Sequence, residues 1–182
     1  FTSLLGTSGT DLGPQYSFGI LFNGVELDPV AAEPFPHEGM NSPNANWIWN
    51  LEALNVNLGV DCNNAHVQPN GKYHYHGTPT SYLNSLNVSS NTMTLIGYAA
   101  DGFPILGSFF LDEGTPRKAL SSYRLKNEGG ARPRGDATNP GGNYDGTYIQ
   151  DYEYIEGSGD LDECNGMIVD DSYGYYVTDT YP

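Results

Sequence analysis

The sequence predicts a mostly β fold: one β-rich domain, sandwich-like or built of irregular antiparallel sheets, with long loops and little helix. Three observations carry this reading. The 182 residues include 14 Tyr, 23 Gly and 12 Pro, a mixture that suits short strands joined by tight turns. Turn dipeptides, Asn23-Gly24 and Asp101-Gly102, stand beside apolar runs. Thr147 to Ile155 alternates with a period of two, as a strand does. The length suits a single domain with its own core, and no apolar run approaches the roughly 20 residues needed to span a bilayer.

The elements follow in order. Residues 1–16 are an N-terminal arm or linker, Gly-rich over 1–14, and residues 17–182 are the β-rich domain. Ser17 to Leu27 is a strand pair turning at Asn23-Gly24. Asp28 to Asn46, rich in Pro, Asn and Glu, is a long loop, and Trp47 to Leu58 packs on the core through Trp47, Trp49, Leu51 and Leu54. A hairpin spans Ala65 to His76. Thr80 to Asn87 is a short helix. Met93 to Ala99 and Phe103 to Leu111 are strands, and Ser121 to Lys126 is another. Asn127 to Asn143 is a Gly/Pro-rich loop. Thr147 to Ile155 places Tyr148, Gln150, Tyr152 and Tyr154 on one face. Tyr173 to Thr178 is the last β-like segment. No internal repeat is evident.

The net charge is −15. Six of the seven basic residues lie between Arg117 and Arg134, and no Lys or Arg follows Gly135. Nucleic acid is excluded as a natural partner, since phosphate contacts need basic side chains. The chain opens at Phe1, and it reads as a mature, secreted chain, extracellular or at a cell surface, whose targeting segment has been removed. Its two cysteines, Cys62 and Cys164, are expected to form one disulfide in an oxidising compartment. The rival role for Cys62 is a metal thiolate beside His66.

The hairpin carries the chemistry. His66, His74 and His76 fall within 11 residues around Pro69-Asn70-Gly71. Pro presets the first turn residue, Asn suits the second, and Gly accepts the left-handed third, which gives a three-residue loop. That loop pairs His66 with His74. His76, two residues beyond, lies on the same face, so the three imidazoles converge while Tyr73 and Tyr75 face away. Three imidazoles suit zinc or copper with an open fourth position. Asp61, Cys62 or His37 is the candidate fourth ligand. Asp160, Asp162 and Glu163 offer oxygens for calcium, and Asp162 or Glu163 could orient an imidazole from outside the ligand set.

The stretch Leu58-Gly-Val-Asp-Cys-Asn-Asn-Ala-His66-Val-Gln-Pro-Asn-Gly-Lys-Tyr73-His-Tyr-His-Gly77 strongly resembles the YHYH-domain family, which is named for the tetrapeptide at Tyr73 to His76. Blocks at Ile96–Ile105, Ser122–Lys126, Asp145–Thr147, Asp151–Tyr154, Gly157–Gly166 and Tyr176–Pro182 extend the resemblance over residues 17–182. It implies a secreted bacterial-type domain and no established reaction. Leu106 and Met167 stand where relatives commonly carry Tyr and Arg. The chain also stops where relatives usually continue to a further Cys, which leaves Cys62 and Cys164 as the only intrachain pair.

Neither a nucleophile elbow nor a His-Glu-x-x-His helix nor a phosphate loop occurs, so the sequence leans away from covalent catalysis. Asn87-Val88-Ser89 matches a glycosylation sequon. Three functions fit: a secreted metal-binding domain, a metal-dependent hydrolase or oxidoreductase, and a self-assembling surface or fibre protein. In the last, residues 1–14 would join subunits as a homo-oligomer or filament.

Overall fold

A computed structural model describes residues 17–86 and 92–182. The arm over residues 1–16 and the sequon at Asn87 lie outside the described residues.

The first hairpin joins β1 (Gly19–Leu21) to β2 (Glu26–Leu27). Next, β3 (Pro34–Phe35) and β4 (Asn46–Asn50) form a small antiparallel pair. The histidine hairpin is β5 (Ala65–Val67) and β6 (Tyr73–Tyr75), followed by the helix α1 (Thr80–Ser85). β7 (Leu95–Ala99) turns at Asp101-Gly102 into β8 (Pro104–Leu106). β9 (Phe109–Asp112) pairs with β10 (Thr115–Lys118), and β11 (Tyr123–Leu125) with β12 (Tyr152–Tyr154). The last hairpin is β13 (Gly166–Val169) and β14 (Ser172–Tyr176). The fold is mostly β, with long loops and little helix. Among the described residues no helix is long and apolar enough to cross a membrane.

Eight strands make one sheet in the order β13-β14-β8-β7-β1-β2-β6-β5. It is mixed, because β2 runs parallel to β6 and β8 parallel to β14. The order reads the same from either edge: hairpin, parallel join, hairpin, then the central β1–β7 seam. Across that seam Gly19 faces Ala99, Ile20 faces Tyr98 and Leu21 faces Gly97. Exchanging the two strands reproduces the register, with Gly97 in the role of Gly19.

Hydrogen bonds repeat in the same way. Phe22 N donates to Ile96 O and Ala100 N to Phe18 O, both at 2.9 Å. Asp61 N donates to Ala65 O and Asp162 N to Gly166 O, both at 2.8 Å. Tyr73 donates to the Asp61 carboxylate as Tyr173 does to Asp162. Asn23 donates to the Tyr75 hydroxyl, and in the other half the Tyr175 hydroxyl donates to Asp101. The chain is therefore a pseudo-two-fold repeat, a correction to the sequence reading. The spacing between equivalent residues grows from 78 at Gly19/Gly97 to 100 at Tyr75/Tyr175, which hides the period. The seam is tight in both halves: a Cβ at Gly19 would meet Tyr98 O at 2.6 Å, and one at Gly97 would meet Ile20 O at 2.4 Å. Only glycine permits that approach.

The main core gathers Leu21, Leu27, Ala65, Tyr75, Ile96, Ala99 and Ile105 around the sheet centre, with Tyr82 and Leu83 of α1 packed against it. A second core of Phe110, Ala119, Leu161 and Tyr176, with Leu106 and Met167 beside it, lies at the β13–β14 end.

Other expectations need correction. Trp47 and Leu54 are exposed, not core. Thr147 to Ile155 is not one strand: a 3-10 turn over Ile149–Asp151 precedes β12. The cause is Asp151, fully buried, whose carboxylate accepts from Arg132 at 2.7 and 2.5 Å and from the main-chain N–H groups of Gly146 and Tyr148. A buried charge held by this many donors outweighs the alternating pattern.

Candidate metal centre

The loop Pro69-Asn70-Gly71 has three residues. Gln68 N donates to Lys72 O at 2.9 Å and Gly71 N to Gln68 O at 2.8 Å, with Gly71 at φ 87°. Val67 faces Tyr73, and His66 faces His74. His66, His74 and His76 thus share one face. His76 Nε2 lies 3.0 Å from His74 Nε2 and 3.1 Å from His66 Nε2, and the three ligand atoms lie within 4.8 Å of one another.

The other ring nitrogens face main-chain carbonyls. His66 Nδ1 is 2.8 Å from Leu58 O, His74 Nδ1 is 3.4 Å from Lys72 O, and His76 Nδ1 is 3.4 Å from Pro29 O. A carbonyl only accepts, so a proton on each Nδ1 satisfies these contacts and leaves Nε2 free to bind a cation. Three Nε2 atoms this close together suit a cation held between them. Tetrahedral bonds of about 2.0–2.1 Å set ligand nitrogens roughly 3.3 Å apart, close to the spacing of His76 Nε2 from the other two rings. Burial, reinforced by the His74 and His66 rings, pushes the His76 imidazole down to about 4, so it stays neutral well below the ordinary range.

The remaining candidates lie elsewhere. Asp61 caps the turn before β5, accepting from Asn63 N, Ala65 N and the Tyr73 hydroxyl, which hold its carboxyl below the usual range. His37 stacks on Tyr148 and contacts its hydroxyl at 2.9 Å. Neither belongs to the group of converging ligand atoms. The expected disulfide is absent: Cys62 and Cys164 are free, exposed thiols. Each lies in an Asp-initiated turn already closed by its own hydrogen bonds. Cys62 is likewise no ligand in that group.

The calcium candidates are committed to other partners. Asp160 takes Arg117 at 2.6 and 2.7 Å and Leu120 N at 2.8 Å, and the guanidinium lowers its carboxyl. Asp162 takes Cys164 N, Gly166 N and the Tyr173 hydroxyl, each at 2.9 Å. Among the described residues these acids form no converging group with Glu163, and the imidazoles are oriented by carbonyls instead.

Sequence reasoning gave no role at the site to Asp28, a buried carboxylate that follows β2 where β2 runs beside β6, because only tertiary structure brings that segment to the hairpin. It also missed that the pseudo-two-fold puts Met167, Gly174 and Tyr176 where the first half has His66, His74 and His76. The second apolar core stands where the first half has its histidine cluster.

No curated protein and no solved structure matches the chain significantly. The family model described as YHYH protein matches residues 3–182. With the Tyr73 to His76 tetrapeptide forming the heart of the histidine cluster, the chain belongs to the YHYH protein family.

Proposed function

We propose that this protein is an exported metal-binding domain in which His66, His74 and His76 hold one zinc or copper ion through Nε2. The observation that carries the reading is the convergence of three Nε2 atoms on rings whose Nδ1 atoms face main-chain carbonyls. Nitrogen-only ligands favour zinc and copper over calcium or magnesium. The ion ties β5 and β6 to the segments carrying Leu58 and Pro29, so binding stabilises the fold by mass action, by about 2.7 kcal/mol at a free metal concentration of 100 Kd. Elemental analysis and calorimetry of the purified chain should give a stoichiometry near one. His74→Ala should lose tight binding, whereas Tyr73→Phe should retain it, because that hydroxyl serves Asp61. Absence of binding by the unaltered chain would sink the reading.

A further inference from the structure

We infer that Asp28 holds the occupant of the centre's fourth position, a metal-bound water whose proton its carboxylate accepts. This rests on the metal reading above. Four observations support it.

The first is placement. β2 runs parallel to β6 with Glu26 beside His74 and Leu27 beside Tyr75, and Asp28 N donates to Tyr75 O at 2.9 Å. Asp28 therefore follows Glu26 on the face that carries His74 and His76, and Pro29 O meets the His76 ring. The second is an unmet need. Asp28 is 5% exposed, and its Oδ1 has no hydrogen-bond partner among the described residues. The other oxygen accepts from Gln68 Nε2 at a long 3.5 Å. A buried acceptor without a donor is costly.

The third is distance. Asp28 is outside the group whose ligand atoms all approach within 4.8 Å. A direct ligand to the same ion would belong to that group, so Asp28 reaches the ion through an intervening molecule such as water. The fourth comes from the repeat. Ile105 beside Tyr175 matches Leu27 beside Tyr75, so Leu106 is the counterpart of Asp28. Where the histidines give way to Met167, Gly174 and Tyr176, the carboxylate gives way to leucine. Asp61/Asp162, Asn64/Asn165, Tyr73/Tyr173 and Tyr75/Tyr175 keep their identity across the two halves. Asp28 thus changes with the ligands and not with the scaffold.

A carboxylate at this point selects what the ion takes up. Water, or another small neutral molecule with a proton to donate, satisfies both the metal and Asp28. An anion with no proton meets the negative oxygen and is disfavoured. The test uses the intact chain loaded with cobalt(II) as a spectroscopic stand-in, titrated with thiocyanate, for the unaltered protein, Asp28→Asn and Asp28→Leu. All three should bind one cobalt, and both variants should take thiocyanate at least about tenfold more tightly. Unchanged thiocyanate affinity with cobalt retained would overturn the role of Asp28 alone. So would loss of cobalt from a folded Asp28→Asn protein, which would make Asp28 a direct ligand. Failure of the unaltered chain to bind cobalt would overturn the metal reading itself. Asp28→Leu carries the residue of the other half and keeps the test open if Asp28→Asn does not fold.

Discussion

The burial of His76 governs how the hairpin responds to acid. His76 has a folded pKa of about 4, against roughly 6.5 for an unperturbed imidazole. The unfolded chain therefore takes the proton first as the pH falls. Stability contributed by neutral His76 is complete above about pH 6.5 and is lost towards pH 4, by on the order of 2–3 kcal/mol. Asp28, whose carboxyl is raised by burial, works in the opposite sense, because its folded form takes a proton first. Urea unfolding of the metal-free chain at pH 7 and pH 4.5 should show the decline, and His76→Asn should flatten it. An unchanged slope in that variant would reject the assignment. At this scale the sequence was informative about ligands and silent about their support. Three histidines in one hairpin can be read directly, whereas Leu58 O and Pro29 O are main-chain atoms brought in by the fold.

Among the elements, the histidine hairpin was the most legible, because a local turn fixes its register. Pro69-Asn70-Gly71 makes His66 face His74. Deleting Gln68 while keeping the Pro69-Asn70-Gly71 loop pairs Val67 with Lys72 and His66 with Tyr73, which shifts the pairing by one residue and turns His66 to the opposite face. That variant should remain folded by circular dichroism yet lose most of its metal affinity; full retention would show that the loop does not set the site. The segment from Thr147 was misread for the converse reason. Its partner, Arg132, lies in a Gly/Pro-rich loop with no periodicity, and only tertiary structure joins the two. Arg132 also donates to Gly141 O at 2.6 Å and to Asp145 at 2.9 Å. Arg132→Met should cost about 3–5 kcal/mol, since it strands a fully buried carboxylate, and thermal melting measures the loss. β13 was overlooked because its four residues, Gly166 to Val169, are too few to show a pattern alone.

Across the whole molecule the strands were foreseeable and their arrangement was not. The expected classes, short strands and turns at Asn23-Gly24 and Asp101-Gly102, follow from local chemistry. The parallel joins of β2 to β6 and β8 to β14 link segments separated by dozens of residues, and nothing local encodes them. The two-fold repeat escaped notice because the segments inserted between matching hairpins differ in length and content.

That repeat has a consequence for how the domain opens. One half is closed by aromatic and aliphatic packing around Phe110, Leu161 and Tyr176, which needs no ion. Its counterpart gathers His66, His74 and His76, and on the proposed reading a metal ion closes it. The molecule therefore carries its own internal control, two copies of one scaffold with different latches. In amide exchange measured with and without zinc, β5, β6 and β2 should slow markedly on loading, while β13, β14 and β8 should exchange at nearly the same rate in both states. A chelator would then loosen one side of the sheet and leave its mirror image standing.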